Sequence, residues 1–227
     1  GGRGLRFLRP ADSDCWLALL RLGLGLVIVL YTWPLRSDWN YLFGGTGEGL
    51  ASRRLFEALL STQSPFVPRL GWLVFLCRQA GWEESFALSF AWSLLFAAGL
   101  FLLLGLFSRP AAITAWFLQL AAAKSGGLLS YGADNLITIG LFYFMIAPLP
   151  DRWSLDRWKW PGRAIDPRSL GLHRRVLQLH LCFIYFFGGL TKCPGPGWWN
   201  GANIGRALPL HPFAFLPTAR GAHGAPF

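Results

Sequence analysis

Three ionisable side chains stand inside or against apolar runs of this chain: Arg21, Asp134 and Lys192. A charge at membrane depth is costly, so it is kept where it pairs, binds or reacts. Arg21 has two readings, a buried structural ion pair or a side chain that snorkels to an interface. Asp134 comes early in its apolar run, where a carboxylate favours the positive end of a helix; it could equally be the partner of Arg21. Lys192 has the richest setting. Gln178, Tyr185 and Lys192 are spaced at i, i+7 and i+14, a spacing that drifts only about 20° per heptad on a helix, so the three form one polar stripe. An amine held in an apolar pocket loses charge stabilisation and becomes a base or nucleophile. The other reading is a lysine that ends a membrane helix by reaching the headgroups.

No second chemistry competes with these residues. His173, His211 and His223 are scattered, with no carboxylate or cysteine at metal-ligand spacing. The chain has no GxGxxG, P-loop, HExxH or Ser/His/Asp pattern, so neither a bound metal nor a cofactor is read from motifs. Cys15, Cys77 and Cys182 lie in or beside apolar runs as small hydrophobes. Cys193 follows Lys192, and no CxxC is present.

The elements that must position the three charges are apolar helices. A span takes about 20 residues, and five stretches fit: 15–34, 85–107, 110–124, 130–149 and 175–191. Their lack of sustained alternation argues against a barrel and for an all-α, polytopic transmembrane helix bundle, a single domain over 1–227. Glycines 23, 25, 99, 105, 188 and 189 are placed for close helix contacts. Leu70 to Cys77 is too short to span and reads as a re-entrant, interfacial or loop-packing segment. Trp153, Trp158 and Trp160, and Trp198 with Trp199, read as aromatic belts at the two interfaces.

Composition agrees with the runs. The 227 residues are 53% hydrophobic and 14% charged, against about 25% charged in soluble domains. That excludes disorder, a collagen-like fibre and an ordinary soluble enzyme, and makes the bilayer the first partner. The formal net charge of +10 is spread between apolar runs rather than gathered on one face, so nucleic acid is not a partner. With five spans, eleven basic residues fall on the side of the N-terminus and nine on the other. The loop from Pro150 to Arg175 carries seven basic residues against three acids. By the positive-inside rule that loop and the N-terminus are cytoplasmic, Lys192 is at the opposite face, and the chain is a multi-pass protein of an inner membrane. Arg3, Arg6 and Arg9 before the first run imitate a signal peptide, but Arg21 and the missing cleavage site make an uncleaved span the better expectation. With Met145 as the one methionine, both ends are expected to be truncated.

At these same residues the chain resembles the HTTM ("horizontally transferred transmembrane") family, which includes the vitamin K-dependent γ-carboxylases. The resemblance rests on Leu17-Ala-Leu-Leu-Arg21-Leu-Gly23-Leu-Gly25, on Tyr131-Gly132-Ala-Asp134-Asn135, on Trp153-Ser154-Leu155-Asp156, and on the stretch from Gln178 to Lys192 followed by Trp198-Trp199-Asn-Gly201. It covers roughly residues 5–208. It implies a membrane-helix fold with a cytoplasmic N-terminus. It also implies that Lys192 matches the base that deprotonates reduced vitamin K, and Lys192 alone carries over from that machinery; Gln178, Tyr185, Asp134 and Arg21 are pocket candidates from the residues themselves. A quinone cofactor and a secreted peptide substrate are implied by the resemblance. The chain departs from the carboxylases in carrying Ala133, Asp134 and Asn135 where they have a histidine, and it has no counterpart of their large extracytoplasmic region. A non-catalytic membrane protein that binds a lipid or protein partner is the alternative.

Overall fold

The structure is a computed structural model that describes residues 13–45, 53–127, 131–161 and 165–201. All regular structure among these residues is helical. Helix α1 is Cys15–Thr32, ending before Pro34, and a 3₁₀ turn Pro34–Arg36 leads to the short α2, Trp39–Phe43. Helix α3 is Arg53–Gln63 and α4 is Leu70–Gln79. Helix α5, Glu84–Leu104, opens on an acid in its first turn and closes on Gly105 in the left-handed region, φ 67°. Helix α6, Ser108–Ser125, carries Pro110 in its first turn, where a missing N–H costs nothing. Helix α7, Gly132–Ile146, stops just before Ala147 and Pro148, because a residue preceding proline is pushed out of the helical region. Then come α8, Leu155–Lys159, α9, Pro167–Leu190, and α10, Pro196–Trp199.

The chain forms two compact units, divided between Arg175 and Val176. In the first, α1 packs on α5, α5 on α6, α6 on α7, and α7 back on α1, a closed ring of four helices. Neighbours run antiparallel. Arg21 near the start of α1 meets Leu102 and Leu103 at the end of α5, while the Thr32 carbonyl at the other end accepts the Trp92 indole N–H. Three glycines set how close the helices come. A Cβ on Gly25 would lie 2.8 Å from the Leu103 nitrogen, one on Gly99 2.9 Å from an Ile28 methyl, and one on Gly140 2.9 Å from a Leu24 methyl. The short α4 packs on α5 and α6, so the segment around Leu70 is a loop-packing helix.

The ring has an apolar core and, unlike a soluble domain, an apolar outer surface as well. Along α1 the buried stripe is Leu17, Ala18, Arg21, Leu24, Gly25, Ile28 and Thr32. The outward residues are apolar throughout: Leu19 is 60% exposed and Leu30 63%, while Arg21 is fully buried. Helix α6 buries Ser108, Gln119 and six alanines and turns Ile113 and Phe117 outward. Helix α7 buries Asp134 and exposes Leu136, Phe142 and Ile146. Alanines, glycines and a few polar residues share the contacts with Leu17, Leu95, Leu102, Leu141 and Phe144, and large apolar side chains also face out, as in helices that pack within lipid. Two helices, α1 and α5, are long and apolar enough to cross a membrane; α7 is apolar and shorter.

The second unit holds the rest of α9, a turn from Thr191 to Gly195, and α10.

Candidate functional site

Arg21 is a structural pin. Its Nε donates to Asp151 Oδ2 at 2.8 Å, and an Nη reaches Asp151 Oδ1 at 3.4 Å; both side chains are fully buried. The other guanidinium N–H groups donate to the carbonyls of Leu102, Leu103 (2.8 Å) and Trp153 (3.1 Å). All five donors of the fork are thereby used. The carbonyls of Leu102 and Leu103 are among those a helix C-terminus leaves unpaired, so Arg21 caps α5 as well as pairing with Asp151. The partner is therefore Asp151, 130 residues away, rather than Asp134.

The segment 151–157 is built around the same spot. Ser154 donates through Oγ to the Asp151 carbonyl at 2.8 Å and accepts the Arg157 N–H as the N-cap of α8. The Asp156 carboxylate accepts the N–H groups of Phe107 at 2.8 Å and Ser108 at 2.7 Å, and its own N–H donates to the Gly105 carbonyl. This holds Phe107 at φ 48°, a left-handed conformation that a bulky residue adopts only under constraint. A Cβ on Gly105 would meet the Ser154 Cα at 2.6 Å, so this turn accepts glycine for its φ and for its space.

Asp134 caps its own helix. Its Oδ2 accepts the Tyr131 N–H at 2.7 Å, its Oδ1 accepts from Gln119 Nε2 at 3.1 Å, and Thr138 donates to its carbonyl. Gln119 Oε1 is buried without a partner among the described residues. Arg21 and Asp134 share no partner, and they sit toward opposite ends of α1 and α7.

Gln178 and Tyr185 lie on the part of α9 that belongs to the second unit. Lys192 lies past Leu190, the last helical residue, and its N–H bonds to the Gly189 carbonyl three residues back, so the helical stripe stops short of it. Its Nζ stands 4.8 Å from the centre of the Trp198 ring, and the Trp199 indole donates to the Cys193 carbonyl.

The sequence passed over a second polar centre. Arg53, 4% exposed, donates to the Phe43 carbonyl (2.8 Å), to Glu57 (3.1 Å) and to Glu84 (2.6 Å). Glu84 also accepts the Gly45 N–H, and Arg78 lies 3.2 Å from its second oxygen. Glu57 accepts from Gly71 N–H and Ser125 Oγ, so one network ties α2, α3, α4, α5 and α6. The signal was the i, i+4 pair Arg53 and Glu57 beside Glu84, all outside the apolar runs. Among the described residues no His, Cys, Asp and Glu group could hold a metal, and all four cysteines are free thiols.

Compared with protein-family models, curated proteins and solved structures, the chain matches none.

Proposed function

We propose that the chain is an integral membrane protein of the HTTM kind, in which α1, α5, α6, α7 and α9 each cross the bilayer of an inner membrane. The N-terminus and the Pro150–Arg175 loop are then cytoplasmic and Lys192 is at the opposite face. The observation that carries this reading is an apolar outer face of leucines and phenylalanines around helices that also bury Arg21, Gln119 and Asp134. In water such a surface would be an aggregation site; in hydrocarbon it needs no partner. A carbonate wash of membranes tests it: the chain stays in the pellet on this reading and is released if the apolar faces are covered by other protein.

Within that frame Lys192 is the candidate base for quinone-linked or peptide chemistry, with Tyr185 and Gln178 on its helix. The second carboxylase group has no counterpart. The residue near the start of α7, Asp134, spends both carboxylate oxygens on Tyr131 and Gln119. Asp134 in place of the family's histidine argues against glutamate carboxylation, so the reading keeps the scaffold and the lysine and leaves that reaction out. The Trp198 ring beside Lys192 Nζ favours the alternative: an ammonium held on an aromatic face, binding a lipid or protein partner without catalysis. Lysine labelling by an amine-reactive ester at neutral pH separates the two. A base reacts at least an order of magnitude faster than Lys124 or Lys159; a held ammonium reacts no faster than they do.

A further inference from the structure

The turn between α5 and α6 and the segment after α7 line an open pocket of about 730 Å³, within the range of small-molecule sites. Phe107, Pro110, Leu149 and Trp160 make it mostly apolar, and Arg109 and Lys159 supply two cations. Neither cation has a carboxylate partner among the described residues. Arg109 donates one N–H to the Ala147 carbonyl at 2.8 Å, which leaves the rest of its fork unspent. Lys159 Nζ lies 5.5 Å from the Phe107 ring centre and 5.0 Å from that of Trp160. The one acid on the wall, Asp156, is bound by the two N–H groups of Phe107 and Ser108. Ser108 also lines the pocket, and its buried Oγ has no partner among the described residues. The constrained Phe107 therefore serves as a fixed aromatic wall beside a cation.

The pocket sits where α5 ends, α6 begins and α7 has just ended, with Trp160 on its wall. We propose that it holds the phosphate headgroup of an anionic phospholipid of the cytoplasmic leaflet, with Arg109 and Lys159 as its counter-charges and the aromatic and proline walls against the glycerol and first methylenes. The inference rests on the membrane reading above. Basic pockets between membrane helices on the cytoplasmic side are suited to acidic headgroups, and each cation there contributes about fivefold in affinity.

The test is native mass spectrometry of the detergent-purified chain titrated with phosphatidylglycerol, with phosphatidylcholine and with inorganic phosphate as separate probes. Phosphatidylglycerol is expected to be retained over phosphatidylcholine. Lys159→Gln is expected to lower that retention about fivefold, Arg109→Gln with Lys159→Gln about 25-fold, and Lys159→Arg to preserve it. Lys159 is exposed, so its single variant decides the matter if the double variant does not fold. Equal retention of the two lipids, or no loss in Lys159→Gln, overturns the proposal. Displacement of the lipid by equimolar inorganic phosphate overturns the lipid source. Carbonate extraction of the same variants keeps the two claims apart: a chain that stays in the pellet but does not select phosphatidylglycerol fails the headgroup proposal only.

Discussion

At the scale of single residues, the most consequential group is a buried charge whose donors are all spent within the fold. Arg21 satisfies all five donors on Asp151 and three carbonyls, so its removal leaves a buried carboxylate and uncapped helix ends together. Arg21→Met is expected to destabilise the detergent-solubilised protein by about 3–5 kcal/mol, read as a fall in the thermal midpoint, and Asp151→Asn by less because its carbonyl still accepts. The double variant Arg21→Met with Asp151→Leu is expected to recover most of the loss, because an apolar pair needs no desolvation repaid. Gly105→Ala is expected to cost about 1–3 kcal/mol, since a left-handed φ is combined with a Cβ 2.6 Å from Ser154 backbone. Sequence could mark Arg21 as costly and Asp134 as a cap, because both arguments are local. It could not find Asp151, because that residue lies outside every apolar run and 130 positions away. Asp156 escaped for the same reason: its role depends on two backbone N–H groups nearly fifty residues earlier.

At the scale of helices, hydrophobic runs located the elements well. The run expected at 85–107 is Glu84–Leu104, and the run at 15–34 is Cys15–Thr32. Boundaries shifted where backbone chemistry decides: Gly105 ends α5 early, and Pro167 opens α9 well before 175. The run expected at 110–124 is Ser108–Ser125, although its interior face is alanine, serine and glutamine. Of the glycines expected at contacts, Gly25 and Gly99 are the pair that lets α1 and α5 touch. Gly99→Leu is therefore expected to drive the two helices apart and convert a monodisperse peak in size-exclusion chromatography into aggregate. Gly23→Leu, where nothing lies within 4 Å, is expected to leave the peak unchanged.

At the scale of the whole molecule, the ring of α1, α5, α6 and α7 joins two polar knots, one on Arg21 and Asp151 and one on Arg53, Glu57 and Glu84, through an apolar middle. The proposed five crossings would put Cys15, before the first of them, and Cys193, after the last, on opposite sides of the membrane. Native thiols make that separation measurable. In right-side-out cells, a variant that keeps Cys193 alone, with Cys15, Cys77 and Cys182 changed to serine, is expected to react with a membrane-impermeant maleimide before lysis. A variant that keeps Cys15 alone is expected to react only after the membrane is opened. Labelling of both thiols from the same side would contradict the five-crossing account.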